Sequence, residues 1–386
     1  MKKTAVHFGA GVIGKGFIAD LLYDSGFEII FVDIDEAAMR ALTKEGKYTI
    51  YEIGNHAKQK VISPVRGLSP IADEAAVIEE IAKAEMVTTS VWATNLDKVA
   101  PMIAKGLKKR IEQGGEKVNV LACENAIRAS DTLRSEVLKT NLLTAAELDS
   151  IACFANTGVD RMVFEVIVDG VKHVEAGADY ELSVEQPKLV DPKSEPIKGA
   201  EYTDNLDKYL QRKLYIVNCG HATGGYYGYM KGLKNYSDAL DDAQIAADVW
   251  GTVRESALML HHKHGFSMED LEAYLQFIMK RFQTPGVEDP ILRIARSPIR
   301  KLRHNDRLVG PALECEKLGL KNDYLARGIA AALLFDYEGD AEAVELQAYI
   351  SEHGIEKALT HFTGIAPDSP LGKKALDAYT TLKKGY

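Results

Sequence analysis

The chain has 386 residues, too many for one ordinary hydrophobic core, so two domains are expected. At 46% hydrophobic and 27% charged residues it has the composition of a globular protein, and a formal net charge of −9 argues against nucleic acid as a partner. No run of 18 apolar residues occurs and the first apolar stretch is too short for a signal peptide, so neither a membrane span nor secretion is expected, and a cytoplasmic protein is. Cys123, Cys153, Cys219 and Cys315 lie far apart with no C-x-x-C pair, which suits reduced thiols rather than a disulfide framework or a zinc site.

In chain order, "TAVHFG" (4–9) reads as a short strand, followed by a helix from about Val12 to Ser25. "EIIFVD" (28–33) is the next strand, with a helix from Glu36; "YTIYEI" (48–53) and "KVISPVRGL" read as added antiparallel strands. "MVTTSV", "VNVLAC" and "SIACFA" then alternate with helices near 96–113 and 127–139. Apolar β-rich runs alternating with helices predict a parallel sheet covered on both faces. Beyond Asp160 an Asp-Gly between two β-rich runs predicts a hairpin, and the proline-bearing stretch 187–198 reads as a linker. Helical periodicity then dominates at 205–218, 238–263, 268–282, 322–336, 341–352 and 368–383. The expected architecture is an α/β dinucleotide-binding (Rossmann-type) domain with extra antiparallel strands over 1–197 and a mostly α-helical domain over 198–386. "HHKH" (261–264) reads as a polar helix end before Gly265, not a metal tract.

"FGAGVIGKG" supplies Gly9, Gly11 and Gly14 as G-x-G-x-x-G between a strand and a helix, and Asp33 ends the next strand. The first glycine permits a tight turn, the second lets backbone approach a pyrophosphate, and the third allows close helix–strand packing. An acid at Asp33 hydrogen-bonds ribose hydroxyls and repels a 2′-phosphate, and the residues after it, Ile34, Asp35 and Glu36, bring no cation. NAD is the expected cofactor, held by Gly9, Ala10, Gly11, Val12, Ile13, Gly14 and Asp33.

"VNVLACENA" places Glu124 and Asn125 past a core strand, and "FANTGVDRM" does the same for Asn156, Asp160 and Arg161. In doubly wound sheets that edge borders the ligand crevice. "KLYIVNCGH" (213–221) then sets Lys213, Asn218 and His221 in an apolar stretch. At 100° per residue the three project within about 140°, one side of a helix. Gly220 among them suggests a close neighbour. Oxidising a secondary alcohol needs a base, which a partly desolvated lysine can be, and carboxamide N–H groups for the developing oxyanion. The bland reading stands beside it: Lys213 snorkels, Asn218 caps a bend and His221 is a satisfied core residue. A Tyr209-x-x-x-Lys213 match to short-chain dehydrogenases is set aside, because it falls beyond the nucleotide domain and the glycine loop differs.

"RIARSPIRKLRHNDR" (293–307) carries Arg293, Arg296, Arg300, Lys301, Arg303 and Arg307 against one acid, Asp306. Pro298 biases Ser297 away from helix, so the cations straddle a turn and can converge on a phosphate. A solvated basic face is the alternative.

Taken together, "HFGAGVIGKGF", "ACENA", "NTGVDRM", "KLYIVNCGHA" and "RSPIRKLRHNDRL" resemble the polyol-specific long-chain dehydrogenases, in the same order from residue 1 to about 310. The resemblance implies metal-independent, NAD-dependent interconversion of mannitol 1-phosphate and fructose 6-phosphate, by a chain expected to be monomeric. It carries Lys213 over as general base, Asn125 and Asn218 as the oxyanion pair and His221 as a substrate-orienting residue. It also implies that Asp160, Arg293 and Lys301 touch the polyol, beside which Arg161 is a further substrate candidate; Arg296 and Arg300 are candidates for the phosphate. Rival readings are a keto-uronate reductase of the same family, a 3-hydroxyacid dehydrogenase and an NAD-sensing binding protein.

Overall fold

A computed structural model describes residues 3–284 and 287–385. The chain divides into two compact units, residues 1–209 and 210–386.

The first unit is built on a six-stranded sheet formed by β1 (Lys3–Phe8), β2 (Phe27–Val32), β5 (Val65–Leu68), β6 (Met86–Thr89), β7 (Val118–Ala122) and β8 (Ala152–Phe154). Its order is β5-β2-β1-β6-β7-β8, and every pairing is parallel. Alternate side chains of these strands feed two cores. Ala5, Ile29 and Phe31 pack on one face with the helical turns after the glycine loop, while Val6, Phe8, Ile30 and Val32 pack on the other with helices Glu74–Lys83, Leu96–Glu112 and Ala129–Lys139. Burial on both faces explains why the strands read as unbroken apolar runs. A second sheet contains β3 (Tyr48–Glu52), β4 (Asn55–Ile62), β9 (Thr157–Val168), β10 (Val171–Glu185) and β11 (Glu201–Thr203). The Asp169-Gly170 turn, both residues with positive φ, closes the β9–β10 hairpin as expected.

Several details differ from the sequence reading. Only β4 of the "KVISPVRGL" region is antiparallel; Val65–Leu68 crosses to the main sheet and pairs with β2 in parallel. Asp160 and Arg161 lie inside the long strand β9, not in a loop past a strand end. The stretch 187–198 is strapped to the first unit's core, with Leu189 and Ile197 buried there.

The second unit is helical around one core. The run expected at 238–263 is two helices, Tyr236–Asp241 and Ala243–His264, because Asp242 takes an extended backbone and caps the second through the Gln244 and Ile245 N–H groups. That helix ends at His264, with Gly265 at φ 72° as its left-handed cap, so "HHKH" is a helix end. The expected helix 205–218 is α-helical only over Leu206–Arg212; Lys213–Asn218 forms a π-helical turn before α-helix resumes over Cys219–Met230.

Candidate functional site

The parallel register sets Leu68, Val32, Phe8, Thr89 and Ala122 level at the carboxyl edge of the main sheet. The glycine loop, Asp33, Ser90 and Glu124 therefore emerge along one rim. Gly9 has φ 102°, and a Cβ on it would lie 2.4 Å from Ser90 O. A Cβ on Gly14 would lie 2.0 Å from Gly9 O and 2.7 Å from His7 Nε2, so the third glycine is required for close packing. A Cβ on Gly11 would meet nothing within 4 Å: the second glycine faces open space where a ligand can approach the backbone. Val12 and Ile13 begin the helical turn that follows, with Gly14–Ile18 in a π turn.

Asp33 ties this loop down. Its Oδ2 accepts from the Ala10 N–H at 2.7 Å and its Oδ1 from the Asp35 N–H at 3.1 Å. Folding also brings a cation that the local sequence around Asp33 lacks. Burial lowers the pKa of Lys15, opposed by the negative charges of Asp33, Asp35 and Glu45. Beneath the loop the buried His7 ring is held between Thr88 Oγ1 at 2.7 Å and Ser90 Oγ at 2.8 Å, and burial depresses its pKa to about 3.

Past β7, buried Glu124 accepts from Thr89 Oγ1 and the Val91 N–H, each at 2.8 Å; burial raises its pKa against these bonds. Asn125 follows it at an exposed position. Asn156 is a structural cap: its Oδ1 accepts from the Ser130 and Asp131 N–H groups at the start of a helix. Arg161 corrects the sequence expectation. Its guanidinium, 8% exposed, donates to Gly16 O and Asp20 Oδ2 through Nη1 and to Gly177 O through Nε. It also lies over the Phe17 and Tyr180 rings, which makes it a clasp between the glycine-loop helix and the β9–β10 hairpin rather than a substrate ligand. Asp160, beside it on β9, pairs in register with Glu181.

In the helical unit the π turn changes the relation of the three polar residues. A π turn closes i to i+5, so Asn218 sits one turn along from Lys213 instead of about 140° around the helix. His221, three residues further, is again one turn on. Gly220 faces Val253, whose Cγ1 would be 2.7 Å from an added Cβ; the close neighbour expected from sequence is there.

His221 Nε2 is 2.8 Å from Asp289 Oδ2, and the ring stacks on Phe282 and meets Tyr236 edge-on. Burial lowers its pKa, opposed by Asp289 and reinforced by Arg293 and Lys301. With the Asp289 carboxylate at Nε2, a proton on that nitrogen is donated to it and Nδ1 is left to face away from the pair. Arg293 donates to Asp289 Oδ1 through Nε at 2.9 Å and again through Nη2. Burial alone would raise the Asp289 pKa, but the bonds from His221 and Arg293 hold it below the usual carboxylate range.

Lys301 is 3% exposed and donates to the carbonyls of Ile294 and Arg296. Burial, then the charges of Arg307, Arg300 and Arg296, bring its pKa down to about 7. The cations straddle a turn as expected, with Ser297 at φ 57° between helices Ile291–Ala295 and Pro298–Lys301. Arg296 and Arg300 are exposed, whereas Arg307 is paired with Asp306 at 2.8 Å. The second unit thus gathers His221, Asp289, Arg293 and Lys301 into one electrostatically coupled group. Asp289 is the member that sequence reading missed; an acid four residues before Arg293 at a helix start was the available signal. Among the described residues, no three His, Cys, Asp or Glu side chains gather as a metal set, and no helix is long and apolar enough to cross a membrane.

Comparison with known proteins adds an independent line. The mannitol dehydrogenase Rossmann domain matches residues 3–195 and the mannitol dehydrogenase C-terminal domain matches residues 205–382. A mannitol-1-phosphate 5-dehydrogenase of Oceanobacillus iheyensis is 39% identical over 383 residues, covering 99% of both chains. Another from Arthrobacter sp. (strain FB24) is 40% identical over 367 residues, 95% of each. Among solved structures, a D-sorbitol dehydrogenase in substrate-free form aligns with TM-score 0.82 at 17% identity, covering 100% of this chain and 94% of that one. A Pseudomonas fluorescens mannitol 2-dehydrogenase, solved with NAD and D-mannitol, aligns at 0.69 and 18%, covering 99% and 92%. The two structural likenesses speak for the fold; the two domain matches and the sequence identities go further, and this chain belongs to the mannitol dehydrogenase family.

Proposed function

We propose that this chain is an NAD-dependent polyol-phosphate dehydrogenase that interconverts D-mannitol 1-phosphate and D-fructose 6-phosphate. The observation that carries the reading is the cation group around Lys301, coupled to His221 on the lysine–asparagine–histidine helix, in a member of this family. A polyol site needs hydrogen-bonding groups for hydroxyls; a phosphorylated polyol also needs convergent cations.

The dinucleotide fits the first unit by two features of the chain. Gly11 leaves a cradle that a side chain would fill, and Gly14 brings the following helix close enough for its first N–H groups to face phosphates. Asp33 anchors the loop through Ala10 and, with more than one lone pair on each oxygen, can still accept from ribose hydroxyls. The negative charges of Asp33, Asp35 and Glu45 act on Lys15, which leaves NAD favoured over its 2′-phosphorylated form. When bound, the cofactor supplies the hydride acceptor.

Lys213 takes the proton from the C5 hydroxyl of mannitol 1-phosphate as the C5–H pair leaves as hydride and the ketone forms. Asn218 donates an N–H bond to that oxygen while it carries charge. His221, oriented by Asp289, accepts from a substrate hydroxyl at Nδ1. Arg293 and Lys301 hold the polyol chain, and Arg296 and Arg300 bind the phosphate. No metal ion is needed in this scheme, because the lysine supplies the base.

The test is NADH oxidation by the purified protein with fructose 6-phosphate, fructose and a keto-uronate in parallel. Fructose 6-phosphate should be reduced far faster than the others. Equal rates with fructose would overturn the phosphate clamp, and a preference for the keto-uronate would point to a carboxylate site instead.

A further inference from the structure

Trp92 combines two unfavourable features. It is 80% exposed, and its backbone sits at φ 72°, ψ 134°, a region that a bulky L-residue rarely adopts. Strain of this kind persists only where the surroundings impose it, and it concentrates at functional sites. Here the surroundings do impose it. Glu124 accepts from the Val91 N–H at 2.8 Å and also from the Trp92 N–H. On the other side, Asn95 donates its N–H to Trp92 O at 2.8 Å and its Nδ2 to Val91 O at 2.7 Å. A buried carboxylate and an asparagine therefore lock an apolar ring outward into water.

The place of that ring in the fold identifies what covers it. Trp92 follows β6, the neighbour of β1 on the side away from β2. Two residues before it, Ser90 backs directly onto Gly9, and Val91 Cγ1 lies 3.2 Å from where a Gly9 Cβ would stand. Asp33 directly follows β2, so it would take the adenosine ribose on one side of the loop, with the pyrophosphate over the glycine loop after β1. A dinucleotide continuing in that direction must extend its other half towards β6. Large exposed apolar side chains flank the loop on both sides: Ile34 (78%) and Ile71 (79%) after β2 and β5, Trp92 and Ile127 after β6 and β7.

We infer that Trp92 is the packing surface for the nicotinamide half of the bound dinucleotide. The inference rests on the NAD reading above and deepens it by naming the residue that covers the reactive half. The cofactor's apolar contact with the indole offsets the exposure and strain that the free protein carries.

The chain has two tryptophans, Trp92 and Trp250, so Trp250→Phe leaves Trp92 as the sole indole reporter. In that variant, saturating NADH should protect Trp92 fluorescence from acrylamide quenching, whereas ADP-ribose, which lacks nicotinamide, should bind without protecting it. In the parent background, Trp92→Gly should weaken NADH binding about tenfold, leave ADP-ribose binding unchanged and unfold at an equal or higher temperature, since glycine relieves the strain. NADH that binds yet leaves Trp92 fully accessible would overturn this inference alone. Equal protection by ADP-ribose would overturn the assignment to the nicotinamide half. Failure of both ligands to bind the parent protein would overturn the cofactor reading with it.

Discussion

His221 and Asp289, 68 positions apart in sequence, share a 2.8 Å hydrogen bond, and the same carboxylate holds Arg293 through its other oxygen. One side chain thus fixes the tautomer of the histidine and the direction of the arginine. Asp289→Asn should therefore lower kcat/KM for fructose 6-phosphate by about 10- to 100-fold, the effect of losing a charge-assisted bond. The KM for NADH should not move, and Asp289→Glu should recover part of the loss. Unchanged kinetics in the asparagine variant would make the pair purely architectural.

Lys213 begins the π turn that places Asn218 one helical turn along. Lys213→Ala should cut turnover by about 10²–10⁴-fold, the usual worth of a general base. NADH binding, measured by fluorescence titration, should be nearly unaffected, and added primary amines should restore part of the rate. Near-normal turnover would assign the base to another residue.

Lys301 gives a pH signature. Burial, then Arg307, Arg300 and Arg296, lower its pKa to about 7 in the free protein, so it loses its proton as pH rises through that value. A phosphate dianion among these cations favours the protonated form and raises that pKa on binding. Fructose 6-phosphate binding should therefore be strongest below about pH 7 and weaken above it, where the free site must take up a proton. Lys301→Met should flatten the rise of KM between about pH 7 and 9. Arg300→Ala should raise KM for fructose 6-phosphate by roughly 10- to 150-fold and leave fructose almost untouched. A KM independent of pH in the parent would disprove the role given to Lys301.

His7 should make the protein acid-sensitive. Its folded pKa of about 3 lies below the ordinary 6.5, so the unfolded chain takes up a proton that the folded chain refuses. This term is absent above about pH 6.5 and costs stability progressively as pH falls towards 3. At about pH 5 it amounts to about 2 kcal/mol. Urea unfolding of the parent and His7→Gln at about pH 7.5 and pH 5 should show the variant gaining that much relative to the parent at the lower pH. An equal difference at both pH values would mean that the folded ring takes up its proton as readily as the unfolded one, and that burial does not hold it neutral.

Much of this molecule is written locally. Five of the six parallel strands announce themselves as apolar runs because both faces of their sheet are buried. Gly9, the Asp169-Gly170 turn and the Gly265 cap sit at positive φ, which few residue types allow, while Gly14 answers to close packing, Gly11 to an open backbone approach and Asp33 to the loop N–H groups it accepts from. Lys213, Asn218 and His221 were legible as a set, because polar groups in an apolar stretch demand an explanation. Tertiary packing decided the rest. Arg161 looked like a strand-end ligand, but Asp20 and the Gly16 and Gly177 carbonyls claim it, and no local pattern foretells partners so distant in sequence. Val65–Leu68 joined the parallel sheet because β2 had an open edge to pair with, not because its own sequence differs from that of an antiparallel strand. The π turn at Lys213–Asn218 breaks the 100° periodicity on which any sequence projection relies. The bond from His221 to Asp289 required the chain to fold back across 68 residues, a relation fixed by core packing around Tyr236 and Phe282 rather than by spacing.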